Sequence, residues 1–155
     1  MICVDASLAI KWVLEEDWSD QATALYNAAV QTGEPIVAPP LLPIEVTNIL
    51  HQRTRAQDSL SLVQATELLD AFLAFSIDIH NPVGLHQQAL ALASTQGLPA
   101  AYDAHYLALA EHLGCELWTD DQRFLRRVRD TAPFVHSLRD YVMATEETIE
   151  NGQAP

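Results

Sequence analysis

Four acidic residues, Asp5, Glu45, Asp103 and Asp121, stand at positions where carboxylates do more than solvate a surface. Asp5 directly follows the apolar run Ile2–Val4. Taken alone it reads first as the N-cap of the segment after it, Ser7–Glu15, with a ligand at the end of a strand as the other reading. Glu45 follows Pro43 by two positions, which puts it near the third position of a helix, where the helix dipole favours a negative charge. It also borders an apolar stripe of Leu41, Leu42 and Ile49, and Asn48 nearby could hydrogen-bond whatever Glu45 binds. Asp103 has Tyr106, Leu107 and Ala110 as its neighbours on a helix face. A carboxylate there is costly unless an arginine pairs with it or a metal binds it. Asp121 lies in Thr119-Asp120-Asp121-Gln122, which also fits a capping box opening a helix after a strand.

If the four converge, the physics requires a cation. Two carboxylates about 5 Å apart repel by roughly 3 kcal/mol at an effective dielectric of 20. An all-oxygen ligand set selects Mg²⁺ or Mn²⁺ over Zn²⁺. Such a centre suits phosphodiester hydrolysis, because the metal acidifies a bound water and neutralises charge on phosphate oxygens.

Other chemistries find less support. The six histidines show no HExxH spacing, and His105 reads as a partly exposed helix residue. There is no GxGxxG and no GxxxxGK[ST], so no nucleotide cofactor is expected. Ser7 and Thr119 lack an indicated base, so they are expected to hydrogen-bond a carboxylate or a metal-bound water. Trp12, Trp18 and Trp118 are expected in the core. Cys3 and Cys115 lie in apolar runs and are expected as buried free thiols. A phosphatase of the haloacid dehalogenase type needs an Asp where Ser7 stands, and a receiver domain needs a late lysine, whereas no lysine follows Lys11.

The elements that must position these residues alternate in type. Strands are expected at Met1–Val4, Pro35–Ala38, Phe75–Ile79, Cys115–Trp118 and, more weakly, Phe134–His136. Between them the spacing predicts helices over Ser19–Thr32, Leu42–Arg55, Leu60–Leu73, Leu85–Ala93, Ala100–Leu113 and Asp120–Arg129, with Ser137–Ile149 closing the chain. Gly33 and Gly114 read as C′ stops. The alternation argues for an α/β fold with a mostly parallel sheet of about five strands, and Leu42–Leu73 for an inserted helical hairpin.

The 155 residues suit one domain, and 49% hydrophobic residues exclude a disordered chain. No apolar run approaches the ~18 residues of a membrane span, and no signal peptide is read, so a cytoplasmic location is expected. The formal net charge of −13 repels nucleic acid at long range. Cations are few and clustered: Lys11 is the sole lysine, and Arg123, Arg126, Arg127 and Arg129 share one segment. If RNA binds, Lys11, Arg123 and Arg126 are the expected contacts, although the arginines also read as a solvated helix face.

In four blocks the chain resembles the VapC-type PIN domains: Val4-Asp5-Ala6-Ser7-Leu8-Ala9-Ile10-Lys11-Trp12, Pro43-Ile44-Glu45-Val46-Thr47-Asn48-Ile49-Leu50, Ala101-Tyr102-Asp103-Ala104-His105-Tyr106-Leu107-Ala108-Leu109-Ala110, and Leu117-Trp118-Thr119-Asp120-Asp121-Gln122-Arg123-Phe124. The resemblance runs from the start to about residue 140 and implies a three-layer α/β/α fold, with a PIN domain over 1–143 and an acidic tail over 144–155. It implies that Asp5, Glu45, Asp103 and Asp121 form an acidic site, with Asp5 and Asp103 most directly holding Mg²⁺, for which Mn²⁺ could substitute. Thr119 matches the hydroxyl beside the last acid, and Asp120 falls at a variable position. The implied activity is an endoribonuclease with a metal-activated water, acting as the toxin of a toxin-antitoxin pair. The implied partners are RNA, a small VapB-type antitoxin and a second copy of the chain. A catalytically silent PIN-like scaffold that binds protein or RNA is the alternative.

Overall fold

A computed structural model describes residues 1–56 and 60–143. The chain folds as a three-layer α/β/α sandwich around one five-stranded sheet of order β3-β2-β1-β4-β5. The strands are β1 (Ile2–Val4), β2 (Ile36–Ala38), β3 (Asp78–Ile79), β4 (Glu116–Thr119) and β5 (Val135–Ser137). Every pairing is parallel, with Cys3 opposite Val37 and Leu117, and Thr119 opposite Ser137. A parallel sheet is covered on both faces, which is why β1 and β2 are apolar and buried at every position.

The helices are α1 (Ala6–Ala9), α2 (Ser19–Thr32), α3 (Leu41–Thr54), α4 (Leu62–Leu73), α5 (Leu85–Thr95), α6 (Tyr102–Leu113) and α7 (Gln122–Val128). Helices α3 and α4 pack on each other as the expected hairpin between β2 and β3. α6 carries more buried residues than any other described helix, with Ala104, Tyr106, Leu107, Ala108, Leu109 and Ala110 all inside. It ends at Gly114, whose φ of 62° is the left-handed conformation expected of a C′ glycine. Cys3 and Cys115 are both buried and free.

Several expectations are corrected. The first helix is one turn, Ala6–Ala9, followed by a 3-10 turn at Ile10–Trp12, and it stops short of Glu15. Trp12 is turned inward there, against Tyr26 and Phe75, and its indole N–H donates to the Ala22 carbonyl at 2.9 Å. Helix α3 starts at Leu41, so Pro43 sits at its third position, still within the first turn, where no amide is needed. β3 keeps only Asp78 and Ile79 of the expected run, because Phe75 belongs to the aromatic cluster and the strand is an exposed edge. The closing helix over Ser137–Ile149 does not form in its described part. Ser137 ends β5, its hydroxyl caps a 3-10 turn at Leu138–Asp140, and residues 141–143 are irregular. The rest of that span and the acidic tail lie outside the described residues. Trp18 is 37% exposed and not in the core.

Candidate metal-binding active site

The strand order reverses at β1, with β2 and β3 on one side and β4 and β5 on the other. The crevice at the carboxyl ends of β1 and β4 is the topological switch point, where open α/β sheets take their ligands. Asp5 follows β1 and Asp121 follows β4 by two residues, so the topology alone brings two of the four acids to that crevice. Helix α3 contributes Glu45 and the first turn of α6 contributes Asp103. Asp5, Glu45, Asp103 and Asp121 line one cleft of about 180 Å³, together with Ala6, Ser7, Ile49 and Tyr106.

Asp5 is 4% exposed and fully engaged. Its Oδ1 caps α1 by accepting the Leu8 N–H at 3.0 Å and also accepts the Ser7 hydroxyl at 2.7 Å. Its Oδ2 accepts the Thr119 hydroxyl at 2.5 Å. Both hydroxyls pass the order on to the β4–α7 turn. Ser7 Oγ accepts the Asp120 N–H and Thr119 Oγ1 accepts the Asp121 N–H, each at 2.9 Å. Cap and candidate ligand are therefore one arrangement at Asp5: the cap holds one oxygen in place while the side chain lines the cleft.

Asp121, and not Thr119, is the N-cap of α7, with Oδ1 accepting the N–H groups of Arg123 at 2.8 Å and Phe124 at 3.0 Å. The capping-box reading of Thr119–Gln122 is thereby corrected, because Thr119 belongs to β4 and spends its hydroxyl on Asp5. Asp120 points away from the cleft into ion pairs with Lys11 and Arg139.

Tyr106 is 1% exposed, and its hydroxyl donates to Glu45 Oε2. Sequence reasoning treated Tyr106 only as an apolar neighbour of Asp103. The available signal was its place three residues on, on the face that Asp103 shares. Asn48 is exposed on α3 and does not line the cleft; Ile49 does. Lys11 is also displaced from its expected role. Its side chain is 5% exposed and its ammonium is held by Glu16 at 3.2 Å and Asp120 at 3.1 Å, so it does not face a ligand in solvent. Arg123 and Arg126 are exposed on α7.

The electrostatics of the cleft are strained. Burial pushes the Asp5 carboxyl from 3.8 up to about 7, against the pull of the hydrogen bonds from Thr119, Ser7 and the Leu8 N–H, and with a further push from Asp103. Burial raises Asp103 to about 6, helped by repulsion from Asp121 and Glu45. Burial also raises Glu45, offset by the Tyr106 hydrogen bond. Among the described residues no cationic side chain pairs with any of the four acids. The donor set is thus all oxygen, negative and uncompensated, which is the chemistry of a hard divalent cation. Among the described residues no three acidic, histidine or cysteine side chains stand close enough to hold one ion between them. A cation that takes one or two carboxylates and completes its shell with water fits this cleft, and that is the habit of Mg²⁺.

Residues 2–130 match the PIN domain family. The chain is 30% identical over 123 residues to Ribonuclease VapC9 of Mycobacterium tuberculosis, covering 79% of this chain and 87% of the relative. It is also 30% identical over 128 residues to Ribonuclease VapC3 of Pyrobaculum aerophilum, covering 81% of this chain and 93% of the relative. The fold is similar to the crystal structure of PAE2754 from Pyrobaculum aerophilum, with a TM-score of 0.64, 23% identity and coverage of 89% of this chain and 83% of that one.

Proposed function

This chain belongs to the PIN-domain family, and from that premise we propose that it is a divalent-metal-dependent endoribonuclease, the toxin of a toxin-antitoxin pair. The observation that carries the reading is the cleft at the sheet's switch point, with four carboxylates and no cation paired to them among the described residues. The names of the relatives, Ribonuclease VapC9 and Ribonuclease VapC3, support RNA as substrate.

In this reading Asp5 and Asp103 hold Mg²⁺ or Mn²⁺, with Glu45 and Asp121 completing the acidic wall. When bound, the ion supplies an acidified water and neutralises charge on the phosphate. The protein's own part is placement. Ser7 and Thr119 fix both oxygens of Asp5, the Thr119 hydroxyl ties Asp5 to the Asp121 backbone, and Tyr106 fixes Glu45. Ala6 and Ile49 add apolar side chains to the cleft's lining. Arg123 and Arg126 are exposed and available to RNA phosphates. A VapB-type antitoxin and a second copy of the chain are the proposed protein partners. Among the described residues no helix is long and apolar enough to cross a membrane.

The test is Mn²⁺ binding by calorimetry, wild type against Asp5→Asn with Asp103→Asn, followed by RNA cleavage on the same samples. Loss of both in the double variant is expected. A wild type that binds no metal at millimolar concentration overturns the nuclease and leaves a partner-binding scaffold.

A further inference from the structure

A chain of alternating charges borders the cleft. Arg53 pairs with Glu16. Glu16 takes Lys11 at 3.2 Å on its other oxygen, Lys11 reaches Asp120 Oδ2 at 3.1 Å, and Asp120 Oδ1 takes Arg139 Nε at 2.9 Å. The three inner side chains are sheltered, with exposures of 22% for Glu16, 5% for Lys11 and 12% for Asp120, whereas Arg53 and Arg139 are 50% and 44% exposed. The chain therefore buries its middle and presents a guanidinium at each end.

Three elements carry this chain out from the cleft. On α3, Glu45 and Ile49 line the cleft, and Arg53 is the next residue at the same four-residue spacing on that face. Lys11 is four residues beyond Ser7, which lines the cleft. Asp120 adjoins Asp121 and carries Arg139.

We propose that Arg53 and Arg139 are substrate-binding residues that grip RNA phosphates beside the acidic cleft, each oriented by the carboxylate behind it. This rests on the nuclease reading above. Each guanidinium spends one nitrogen on its carboxylate, Nη2 in Arg53 and Nε in Arg139, which leaves further N–H donors for a planar, two-point phosphate contact. Arg139 also lies 5.6 Å over the Trp18 ring, which restrains its plane. Trp18 is the one described non-glycine residue with a positive φ, 70°, a conformation unfavourable for a bulky side chain. With a net charge of −13, general attraction cannot hold a polyanion to this protein, so preset local cations must. Carboxylates at Glu16 and Asp120 hold those cations in place before RNA arrives, so less side-chain freedom is lost on binding.

The test uses the full chain and an unstructured single-stranded RNA oligonucleotide. Arg53→Gln and Arg139→Gln are made singly, with Arg53→Lys and Arg139→Lys as charge-retaining controls. Binding is measured across a salt series and cleavage is measured with Mn²⁺. Each glutamine variant is expected to flatten the slope of log K against log salt by about 0.7, the increment for one phosphate contact on a single strand. KM is expected to rise about two- to tenfold, the range of one net hydrogen bond, with kcat unchanged. The lysine variants keep the slope. A wild type that cuts RNA while both glutamine variants keep its slope and KM overturns this proposal and leaves the nuclease reading standing. A wild type that neither binds nor cuts RNA overturns both.

Discussion

The Thr119 hydroxyl donates to Asp5 Oδ2 at 2.5 Å and accepts the Asp121 N–H at 2.9 Å, so one side chain at the end of β4 ties together two acids 116 residues apart in sequence. Thr119 is fully buried. Thr119→Val keeps its shape and removes both bonds, leaving a buried carboxylate oxygen and a part-buried amide short of a partner. A loss of about 1–3 kcal/mol is expected in denaturant unfolding. Because the Thr119 hydrogen bond lowers the Asp5 pKa, that pKa should rise further above about 7, which a carboxyl NMR titration would read.

Tyr106→Phe tests the second tether. The hydroxyl holds Glu45 and its hydrogen bond opposes the effect of burial on that acid. Its removal should raise the Glu45 pKa further and weaken Mn²⁺ binding in calorimetry, at a stability cost of about 1 kcal/mol. Unchanged metal affinity would show that Glu45 does not need its tether.

The raised carboxyls make the metal-free fold sensitive to pH. Asp5 and Asp103 titrate at about 7 and about 6 in the folded chain, against 3.8 ordinarily, so the folded state binds their protons more tightly than the unfolded state does. Their contribution to stability is fully present below 3.8 and is lost as pH rises through about 6 and about 7. The thermal midpoint of Asp5→Asn should therefore gain on the wild type as pH rises through that window, even though the variant loses metal. A midpoint difference that shrinks with rising pH contradicts the assignment. Adding Mn²⁺ should restore the wild type at high pH and not the variant.

Lys11 is a buried cation between two carboxylates. Lys11→Met leaves Glu16 with Arg53 alone and Asp120 with Arg139 alone, and a loss of about 1–3 kcal/mol is expected. Combining it with Asp120→Asn should recover part of that loss in a double-mutant cycle of unfolding free energies. Full additivity would show that the pair carries no coupling.

The sequence by itself determined where most of the strands and helices lie and which acids line the cleft. Unbroken apolar runs such as Ile2–Val4 must be strands covered on both faces, and alternation of strand and helix leaves a parallel sheet as the economical solution. Asp103 stood out because a charge on the apolar face of a buried helix needs a reason, and it lines the cleft. These features are local, so composition and spacing carry them.

What the tertiary structure decided is which groups meet. The resemblance set Asp121 above Asp120, but the physical reason is tertiary: Lys11 and Arg139 turn Asp120 away while Asp121 lines the cleft. Lys11 read as a free cation because the carboxylates that bury it come from two different segments. Tyr106 read as core because its hydroxyl finds Glu45 from 61 residues away. Ser137 read as a helix start because its parallel partner, Thr119, lies across the sheet. In each case the deciding contact is long-range, and local propensity cannot contain it. It exists only once the strands are ordered and the switch point between β1 and β4 has gathered the side chains.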